Sequence, residues 1–491
     1  MKSKFSKVLS ILLSVVLVIS SFYLLYQVIR LNVLPSKFLF PLTIGVVVLD
    51  AIFILLLIYF SKNVVSKIVC IVLTLFICVA SCMGGYYISK TQNVLSSITN
   101  VAKHAKNTVS VIVKESSSIK NKSQLNGVSV GSLRLNEQGS KKALKELSNE
   151  GIVLNQTEYD SMTALLEAFY NGEVDSIIIN ESSRSQILDM EAYTNFDSNT
   201  RVVYQTSYKV KNNDSATSVS DITSKPFNVL ISGSDTRGGF DENGRSDVIM
   251  IATVNPNTHT ILLTSVPRDF YVTTACDAGD GCMQGALDKI THTGIHGTNT
   301  TKRTVEQLLG IEINYTFKVG FDTVTELVDV LGGVDVYVEP GYATTTSEFS
   351  VHEGVNHLNA QQALAFARER YSYTEGDRQR TKNQQQVLMG IVKEVTKPSV
   401  ITNYAAIMDT MANTFSTTMS NEEITDLIKY QLNNNPTWKM EQYMVDGTGD
   451  TLMCAELGDA ASVMVPDQST VKMAKDKINA VLAGKSSEDV K

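Results

Sequence analysis

The chain has 491 residues, 43% of them hydrophobic, and a formal net charge of −7 at pH 7. This length predicts several domains rather than one. The negative charge argues against a nucleic-acid partner, because binding to phosphate backbones depends on basic surfaces.

Three apolar stretches predict three transmembrane helices within residues 1–89. They run from about Val8 to Ile29, Phe38 to Phe60 and Ile68 to Ile88, and each is long enough for a bilayer core, which takes roughly 20 helical residues. A cleaved signal peptide is disfavoured, because the first run is too long and two more spans follow it. The distribution of lysines favours a cytoplasmic N-terminus. The sequence therefore predicts a multi-pass cell-membrane protein with a large extracellular C-terminal part.

Asp50 lies in the middle of the second predicted span. A carboxylate there costs about 3 kcal/mol on insertion scales. Two interpretations stay open: a functional contact with a lipid or partner inside the membrane, and a protonated or helix-packed residue without a catalytic role.

Composition divides the outer part into five segments. Residues 90–108 are polar and helix-compatible, which predicts a stalk, and residues 109–210 predict a small α/β accessory domain. The accessory domain shows no catalytic constellation, so its expected role is spacing or protein contact. Residues 211–225 predict a linker, residues 226–482 a catalytic domain, and residues 483–491 a flexible tail. Five short strands are predicted in the accessory domain: Ser110–Val113, Gly127–Val130, Ile152–Leu154, Ser176–Ile179 and Arg201–Gln205.

Residues 226–482 predict an α/β fold. The first three strands, at about Phe227–Ser232, Asp247–Val254 and Thr260–Val266, are apolar on both faces. Such strands are typical of a sheet covered by helices on each side. The following helical patterns are at Lys302–Leu309, Phe321–Leu331, Ala360–Phe366 and Arg380–Lys397.

Charged residues gather where the predicted strands end. This first group consists of Asp235, Arg237, Arg245, Asp247, Arg268 and Asp269. Arginine forks suit phosphate oxygens, and aspartates suit a hard divalent metal. Because ligands of α/β sheets bind at such edges, the group predicts a site for a phosphorylated substrate.

A second charged group lies downstream. Arg368 and Arg370 are two residues apart, so an extended segment would direct them to the same side. Asp377, Arg380 and Gln384 share one face of a predicted helix, which Asp377 could cap. The alternative is a solvated helix start with ordinary surface ion pairs.

The sequence lacks the motifs of several other classes of enzyme. The sequence has no P-loop, no G-x-G-x-x-G, no H-E-x-x-H and no G-x-S-x-G. His292 and His296 are more typical of a structural pair than of a metal site. Cys276 and Cys282 flank a short Gly/Asp-rich loop, and both a disulfide and free thiols stay open there.

Five segments together resemble the LytR-CpsA-Psr (LCP) family of bacterial cell-wall enzymes. They are L-I-S-G-S-D-T-R, G-R-S-D-V-I-M, L-L-T-S-V-P-R-D, D-K-I-T-H-T-G-I-H-G and A-R-E-R-Y-S-Y-T-E-G-D-R-Q-R-T-K-N-Q-Q, within residues 226–400. The resemblance implies a mixed central sheet with helices on both faces, preceded by the accessory domain and the three membrane helices. It also implies an Mg²⁺-dependent phosphotransferase that moves a glycopolymer from a polyprenyl-pyrophosphate carrier to peptidoglycan.

The resemblance also implies roles for individual residues. It implies that the residues that bind the pyrophosphate are Arg245, Arg268, Lys289, Arg368, Arg370, Arg380 and Gln384. Catalytic positions are Asp235, Asp247, Arg268, Arg370 and Asp377, and the Mg²⁺-associated carboxylates are Asp235 and Asp247. Which aspartate is the general base and which the metal ligand stays open.

The membrane helices and accessory domain resemble those of capsule-locus members of the family. They imply capsular polysaccharide as the polymer and other capsule-assembly membrane proteins as partners. Two alternatives remain: a regulatory membrane protein that controls capsule synthesis or polymer length, and a lipid-pyrophosphate binding protein with weak pyrophosphatase activity.

Overall fold

A computed structural model describes residues 2–60, 63–99, 104–134, 137–234, 242–277, 282–397, 400–411 and 415–490. The chain forms two units. The first comprises Met1–Thr99, Val392–Ala412 and Ser420–Thr437; the second comprises Asn100–Ile391, Asn413–Met419 and Trp438–Lys491.

The first unit contains three long apolar helices. They are α1 (Lys2–Leu31), α2 (Ser36–Leu55), which continues as a π-helical turn at Leu56–Phe60, and α3 (Val64–Thr99). All three are long and apolar enough to cross a membrane, as predicted. Helix α3 includes the first ten residues of the predicted stalk, so this part of the stalk continues the third apolar helix. The Ser21 hydroxyl donates to Asp50 Oδ1 at 2.9 Å, which favours the helix-packed interpretation of Asp50.

The accessory domain is a five-stranded mixed sheet with helices. The strands lie in the order β3-β2-β4-β1-β5. Their bounds are β1 His104–Lys114, β2 Ser129–Leu133, β3 Asn155–Tyr159, β4 Ser176–Asn180 and β5 Thr200–Lys211. The helices are α4 Glu137–Asn149, α5 Met162–Asn171, α6 Arg184–Asp189 and α7 Phe196–Asn199.

The strand predicted at Ile152–Leu154 is wrong, because these residues form the turn that leaves α4. Gly151 has a φ of +80°, and the Ile152 amide donates to the Leu147 carbonyl at 3.0 Å. Strand β3 begins only at Asn155.

The predicted linker contains no helix or strand among residues 212–225. It is nevertheless hydrogen-bonded to the catalytic fold. The Thr217 amide donates to the Asn314 carbonyl at 2.8 Å, and the Val219 amide donates to the Tyr315 hydroxyl at 3.1 Å. The segment is therefore an ordered linker that is hydrogen-bonded to the catalytic fold along its length.

A six-stranded mixed sheet forms the centre of the catalytic fold and confirms the predicted fold class. Its order is β16-β11-β6-β7-β8-β17, with β11 parallel to β6, β17 parallel to β8, and the other pairs antiparallel. The bounds of these strands are β6 Phe227–Ser234, β7 Val248–Asn255, β8 Thr260–Val266, β11 Tyr315–Gly320, β16 Phe415–Thr417 and β17 Lys439–Met444. Short strand pairs surround it: β9 Tyr271–Thr273, β10 Leu287–Lys289, β12 Val334–Val338, β13 Thr344–Thr345, β14 Ser350–Val351, β15 Gly354–Leu358, β18 Gly447–Cys454 and β19 Asp459–Pro466.

Helices pack around this sheet. They are α8 Thr298–Leu309, α9 Phe321–Leu331, α10 Ala360–Arg368, α11 Asp377–Val395 and α14 Gln468–Leu482. Helices α8 and α14 contribute Val305, Leu309, Ile478 and other buried residues to the main hydrophobic core. Helix α11 crosses β8 and β17, where the Gln385 amide donates to the carbonyls of Leu263 and Tyr443.

Two further helices between these elements belong to the first unit. They are α12 (Val400–Met411) and α13 (Asn421–Asn434). Lys90 on α3 pairs with Asp409 on α12 at 2.7 Å, and Thr99 on α3 donates to Asn421 on α13 at 2.5 Å. Part of the segment predicted as one catalytic domain, 226–482, therefore packs with the apolar helices.

The chain after Ala483, predicted to be frayed, is bound in the structure. The Ser487 amide donates to Glu441 Oε2 at 2.8 Å, and Lys477 Nζ donates to the Ser487 carbonyl at 2.6 Å. Burial raises the pKa of the Glu441 carboxyl, but hydrogen bonds from Lys439, Ser487 and Ser486 outweigh this effect and hold the pKa at about 2. The prediction of a frayed C-terminal segment was wrong, because the buried carboxylate of Glu441, distant in the sequence, binds and orders this polar segment.

Candidate active site

A small cleft joins the two charged groups, which the sequence separates by about a hundred residues. From the first group it is lined by Asp247 and Arg268, and from the second by Asp377, Arg380 and Gln384. Asp247 lies directly before β7 and Arg268 shortly after β8, whereas the other three lie at the start of α11. The predicted convergence of a strand edge and one helix face is thus present in the structure.

The loop before β7 is fixed by its neighbours. The Asp247 amide donates to the Gly233 carbonyl at 2.8 Å, and the Ser246 amide donates to the Thr291 carbonyl at 3.0 Å. Arg268 Nη1 donates to Asp247 Oδ1 at 2.9 Å, and the Thr291 hydroxyl donates to the same oxygen at 3.4 Å. Arg245 Nε lies 3.9 Å from that oxygen. Asp247 is therefore the carboxylate that organises Arg245 and Arg268.

A second carboxylate, Asp269, links Arg268 to Lys289. Lys289 Nζ lies 3.2 Å from Asp269 Oδ1, and Arg268 Nε lies 3.8 Å from Asp269 Oδ2. Burial raises the pKa of Asp269, but the positive charges of Lys289 and Arg268 outweigh it, so the pKa is lowered overall. Burial likewise opposes the charged form of Arg268, while Asp247 and Asp269 raise its pKa above the ordinary value. Asp269 and Arg268 therefore stay charged at neutral pH.

Arg380 experiences an excess of positive charge. It pairs with Asp377, three residues earlier on α11. Its pKa is lowered mainly by burial, and the charges of Arg268 and Arg370 add to this effect against the attraction of Asp377. A guanidinium in such surroundings is stabilised when an anion enters the cleft.

Three arginines of the site each have a buried Nε with no hydrogen-bond acceptor among the described residues. They are Arg245, Arg268 and Arg380. Their side chains are only 11%, 16% and 14% exposed. An unpaired buried donor is costly, and more so on a charged group. Such donors are rarely left without a partner. Two of them line the cleft, on Arg268 and Arg380, and the third, on Arg245, lies 3.9 Å from Asp247 of the lining. Together they indicate an anionic ligand with several oxygens.

The remaining predicted residues lie outside the cleft lining or outside the described residues. Asp235 and Arg237 fall in the undescribed segment 235–241. Arg368 is the last residue of α10, so the predicted extended pair with Arg370 is wrong. Arg370 lies in the following loop, where its Nη2 donates to the Tyr371 hydroxyl at 2.5 Å.

The segment after Lys289 presents a second set of polar groups to a separate small cleft. His292 Nδ1 lies 2.7 Å from Asp288 Oδ1, and His296 Nε2 lies 2.9 Å from Glu456 Oε2. Each histidine thus has a carboxylate partner, in line with the predicted structural role. Among the described residues, no group of three or more His, Cys, Asp or Glu residues could hold a metal ion.

The two cysteines left open by the sequence, Cys276 and Cys282, form a disulfide. Cys454 is a buried free thiol. Burial and the nearby Asp288 raise the pKa of Cys454 to about 12, so this thiol is unreactive at neutral pH.

Sequence reasoning missed two residues that contact the predicted set. Thr291 donates a hydrogen bond to Asp247. It lies two residues after Lys289 in the segment D-K-I-T-H-T-G-I-H-G, but a single threonine carries no sequence signal of a functional role. Asp189 of helix α6 pairs with Arg245. Nothing in the accessory-domain sequence indicates that contact.

Residues 192–480 match the model of the LytR_cpsA_psr family. A polyisoprenyl-teichoic acid–peptidoglycan teichoic acid transferase, TagU, of Bacillus cereus is 30% identical over 241 residues, which cover 48% of this chain and 76% of the relative. The protein of the same name from Bacillus subtilis is 34% identical over 203 residues, or 41% of this chain and 63% of the relative. The crystal structure of B. subtilis TagU matches with a TM-score of 0.41 and 28% identity, covering 52% of this chain and 97% of that chain.

Proposed function

The chain belongs to the LytR_cpsA_psr family, and from this premise we propose that it is a membrane-anchored phosphotransferase. It moves a glycopolymer from a polyprenyl-pyrophosphate carrier to peptidoglycan. The relatives named as teichoic acid transferases support the reaction class. Capsular polysaccharide as the polymer rests on the resemblance of the membrane helices and accessory domain to capsule-locus proteins.

The observation that carries this proposal is the set of three buried Nε donors on Arg245, Arg268 and Arg380. A pyrophosphate offers several oxygens within a few ångströms, and arginine binds such groups through two parallel hydrogen bonds. A neutral sugar would bring no negative charge to these guanidinium groups. The cleft is therefore suited to the pyrophosphate of a lipid-linked donor.

In the proposed reaction the acceptor hydroxyl attacks the phosphorus attached to the glycan. A new phosphodiester forms, the bond between the two phosphates breaks, and polyprenyl phosphate leaves. Phosphoryl transfer depends on positioning and charge stabilisation rather than on a covalent protein intermediate. Arg268 and Arg380 supply that stabilisation, and the hydroxyl proton passes to a carboxylate. Asp269 is a poor base because its pKa is lowered, which leaves Asp247 and Asp377 as the described candidates.

Mg²⁺ is part of the proposal. The contacts of Asp247 with Arg268, Thr291 and Arg245 are all made to Oδ1, and a carboxylate oxygen such as Oδ2 suits a hard cation. Asp247 would hold the ion together with Asp235, which lies outside the described residues. When bound, Mg²⁺ would neutralise charge on the pyrophosphate.

The test uses the full-length chain with a lipid-pyrophosphate-linked glycan, peptidoglycan and Mg²⁺. Arg268→Ala, Arg370→Ala and Arg380→Ala should each lower transfer by about 100-fold or more, the typical loss for a transition-state donor. Arg378→Ala is the matched control, because Arg378 lies on the same helix but pairs with Asp446 outside the cleft lining. Transfer at the normal rate in the first three variants would contradict the proposal.

Measuring three products separates the alternatives. Attached polymer indicates transfer, free glycan phosphate indicates hydrolysis, and retained lipid alone indicates binding. Chelation of divalent cations should abolish transfer and added Mg²⁺ should restore it. If only binding is observed under these conditions, the regulatory or binding-protein alternative is correct.

A further inference from the structure

The accessory domain reaches the candidate active site through one carboxylate. Asp189, the last residue of α6, pairs with Nη1 of Arg245. The Arg245 side chain is 11% exposed, whereas that of Asp189 is 55% exposed. This pair contains the one hydrogen bond that the Arg245 guanidinium makes with a described residue.

The geometry of a guanidinium determines what this bond leaves available. Nη1 lies on the side of the Cδ atom, whereas Nε and Nη2 together form the edge that donates two parallel hydrogen bonds to a phosphate or carboxylate. Asp189 takes Nη1. Nε is buried without a partner among the described residues and lies 3.9 Å from Asp247 Oδ1. Asp189 therefore leaves Nε, on the bidentate edge of Arg245 and toward Asp247, without a hydrogen-bond acceptor among the described residues.

The helix that carries Asp189 is attached at two points. Ile187 on the same helix is fully buried in a hydrophobic cluster that the accessory domain shares with Leu457 and Val463 of the β18–β19 hairpin. Arg184, at the start of α6, donates to Glu181 through both Nε and Nη2. A short helix with these attachments presents its last residue in a defined place.

A second contact links the accessory domain to the segment that carries Arg245. Glu242, three residues before Arg245, is 6% exposed. It accepts a hydrogen bond from Thr108 on β1 and pairs with Lys106 at 3.3 Å. The accessory domain therefore holds residues 242–245 at both ends.

We propose that Asp189 is a positioning residue that orients the Arg245 guanidinium, so that its Nε and Nη2 edge faces the lipid-linked pyrophosphate. This inference rests on the proposed function. It makes the accessory domain a contributor to the active site, in contrast to the spacing or protein-contact role that the sequence predicts.

The opposite role is an Asp189 carboxylate that occupies the place of a substrate phosphate. Two observations disfavour it: the carboxylate binds Nη1, away from the bidentate edge, and Nε on that edge has no hydrogen-bond acceptor among the described residues. The two roles predict opposite effects of removing the carboxylate. A positioning residue strengthens ligand binding, whereas a competing carboxylate weakens it.

The experiment measures binding of geranylgeranyl pyrophosphate to the purified full-length chain. Asp189→Ala should weaken binding roughly tenfold, because a misdirected guanidinium loses its bidentate contact. Asp189→Glu should recover most of the affinity. Glu191→Ala is the matched control, since it removes an exposed carboxylate two residues away. Adding Asp189→Ala to Arg245→Ala should cause no further loss, because the two residues act as one unit.

The outcomes distinguish this inference from the proposed function. Unchanged or tighter binding by Asp189→Ala, or an equal loss in the Arg245→Ala background, would overturn the positioning role. If Arg268→Ala also bound the probe as the natural chain does, the proposed function itself would be at fault. Loss of binding in Arg268→Ala together with normal binding in Asp189→Ala would refute the positioning role alone.

Discussion

At the scale of single residues, three arginines of the site, Arg245, Arg268 and Arg380, are each held by a carboxylate at one nitrogen. Each also has a buried Nε with no hydrogen-bond acceptor among the described residues. Arg268 uses Nη1 for Asp247, Arg380 uses Nη2 for Asp377, and Arg245 uses Nη1 for Asp189. Desolvated charges that are only partly paired reduce stability and persist where function needs them. The site is thus preorganised for an anion.

The ion pair of Lys289 and Asp269 gives a prediction about pH. Lys289→Met should raise the pKa of Asp269, because burial then acts against less positive charge. The folded-state pKa of Asp269 lies below its ordinary value of 3.8, so the stabilisation is present above about pH 4 and is lost as the pH falls through the lower folded value. The variant should unfold more easily at pH 7, by about 1 kcal/mol, and should match the natural chain at low pH.

Thermal unfolding between pH 3 and pH 7 provides the measurement. Trp438 is the single tryptophan of the chain and belongs to the second unit, so its fluorescence follows that unit. Lys472→Met serves as the control, since Lys472 is 77% exposed and its pair with Asp476 is on the surface. If the unfolding temperature of Lys289→Met differed from that of the natural chain by the same amount at every pH, the proposed role of the Lys289–Asp269 ion pair would be contradicted.

At the scale of elements, the 3₁₀ helix Ile290–His296 supports the loop that carries Arg245 and Asp247. Gly294 is the point of closest approach. A Cβ there would lie 2.5 Å from the Gly244 carbonyl oxygen and 2.6 Å from the Ser246 amide nitrogen. Backbone atoms on both sides leave no space for a methyl group.

Gly294→Ala should therefore displace residues 244–247 and with them two charges of the site. Transfer should fall by tenfold or more, since small errors in position are costly in catalysis. The control is Gly449→Ala, because a Cβ at Gly449 meets no atom within 4 Å. Normal transfer rates in Gly294→Ala would show that this loop does not set the geometry of the site.

At the scale of the second unit, the accessory domain and the catalytic fold share one hydrophobic cluster. Phe169 and Ile177 of the accessory domain lie in the same cluster as Cys454, Leu457 and Val463. The Met162 amide also donates to the Leu457 carbonyl at 2.9 Å. A shared core predicts that the two domains unfold together.

Phe169→Ala tests this prediction. Removing a fully buried phenylalanine costs roughly 3–5 kcal/mol, and amide hydrogen exchange should accelerate both in β4 and in β19. Leu147→Ala is the matched control, because Leu147 is equally buried but lies in the cluster on the side of α4. If β19 exchanged at its natural rate in Phe169→Ala, the two domains would be independent.

The sequence by itself determined the apolar helices, the class of fold and most of the charged residues that line the cleft. These features are local: an apolar run identifies a span, and positions three and four apart identify one helix face. Asp377, Arg380 and Gln384 were recognised in this way. The extended pair of Arg368 and Arg370 was predicted wrongly, because α10 continues two residues past its apolar pattern.

Only the tertiary structure decided which of these residues meet. The approach of α11 to the ends of β7 and β8, the pairing of Asp189 with Arg245, and the binding of the tail by Glu441 all join residues far apart in the chain. Such contacts depend on how whole elements pack, and the local pattern around each residue contains no information about its distant partner. The accessory domain therefore appeared to be a spacer in the sequence, whereas packing placed its carboxylate beside an arginine of the site.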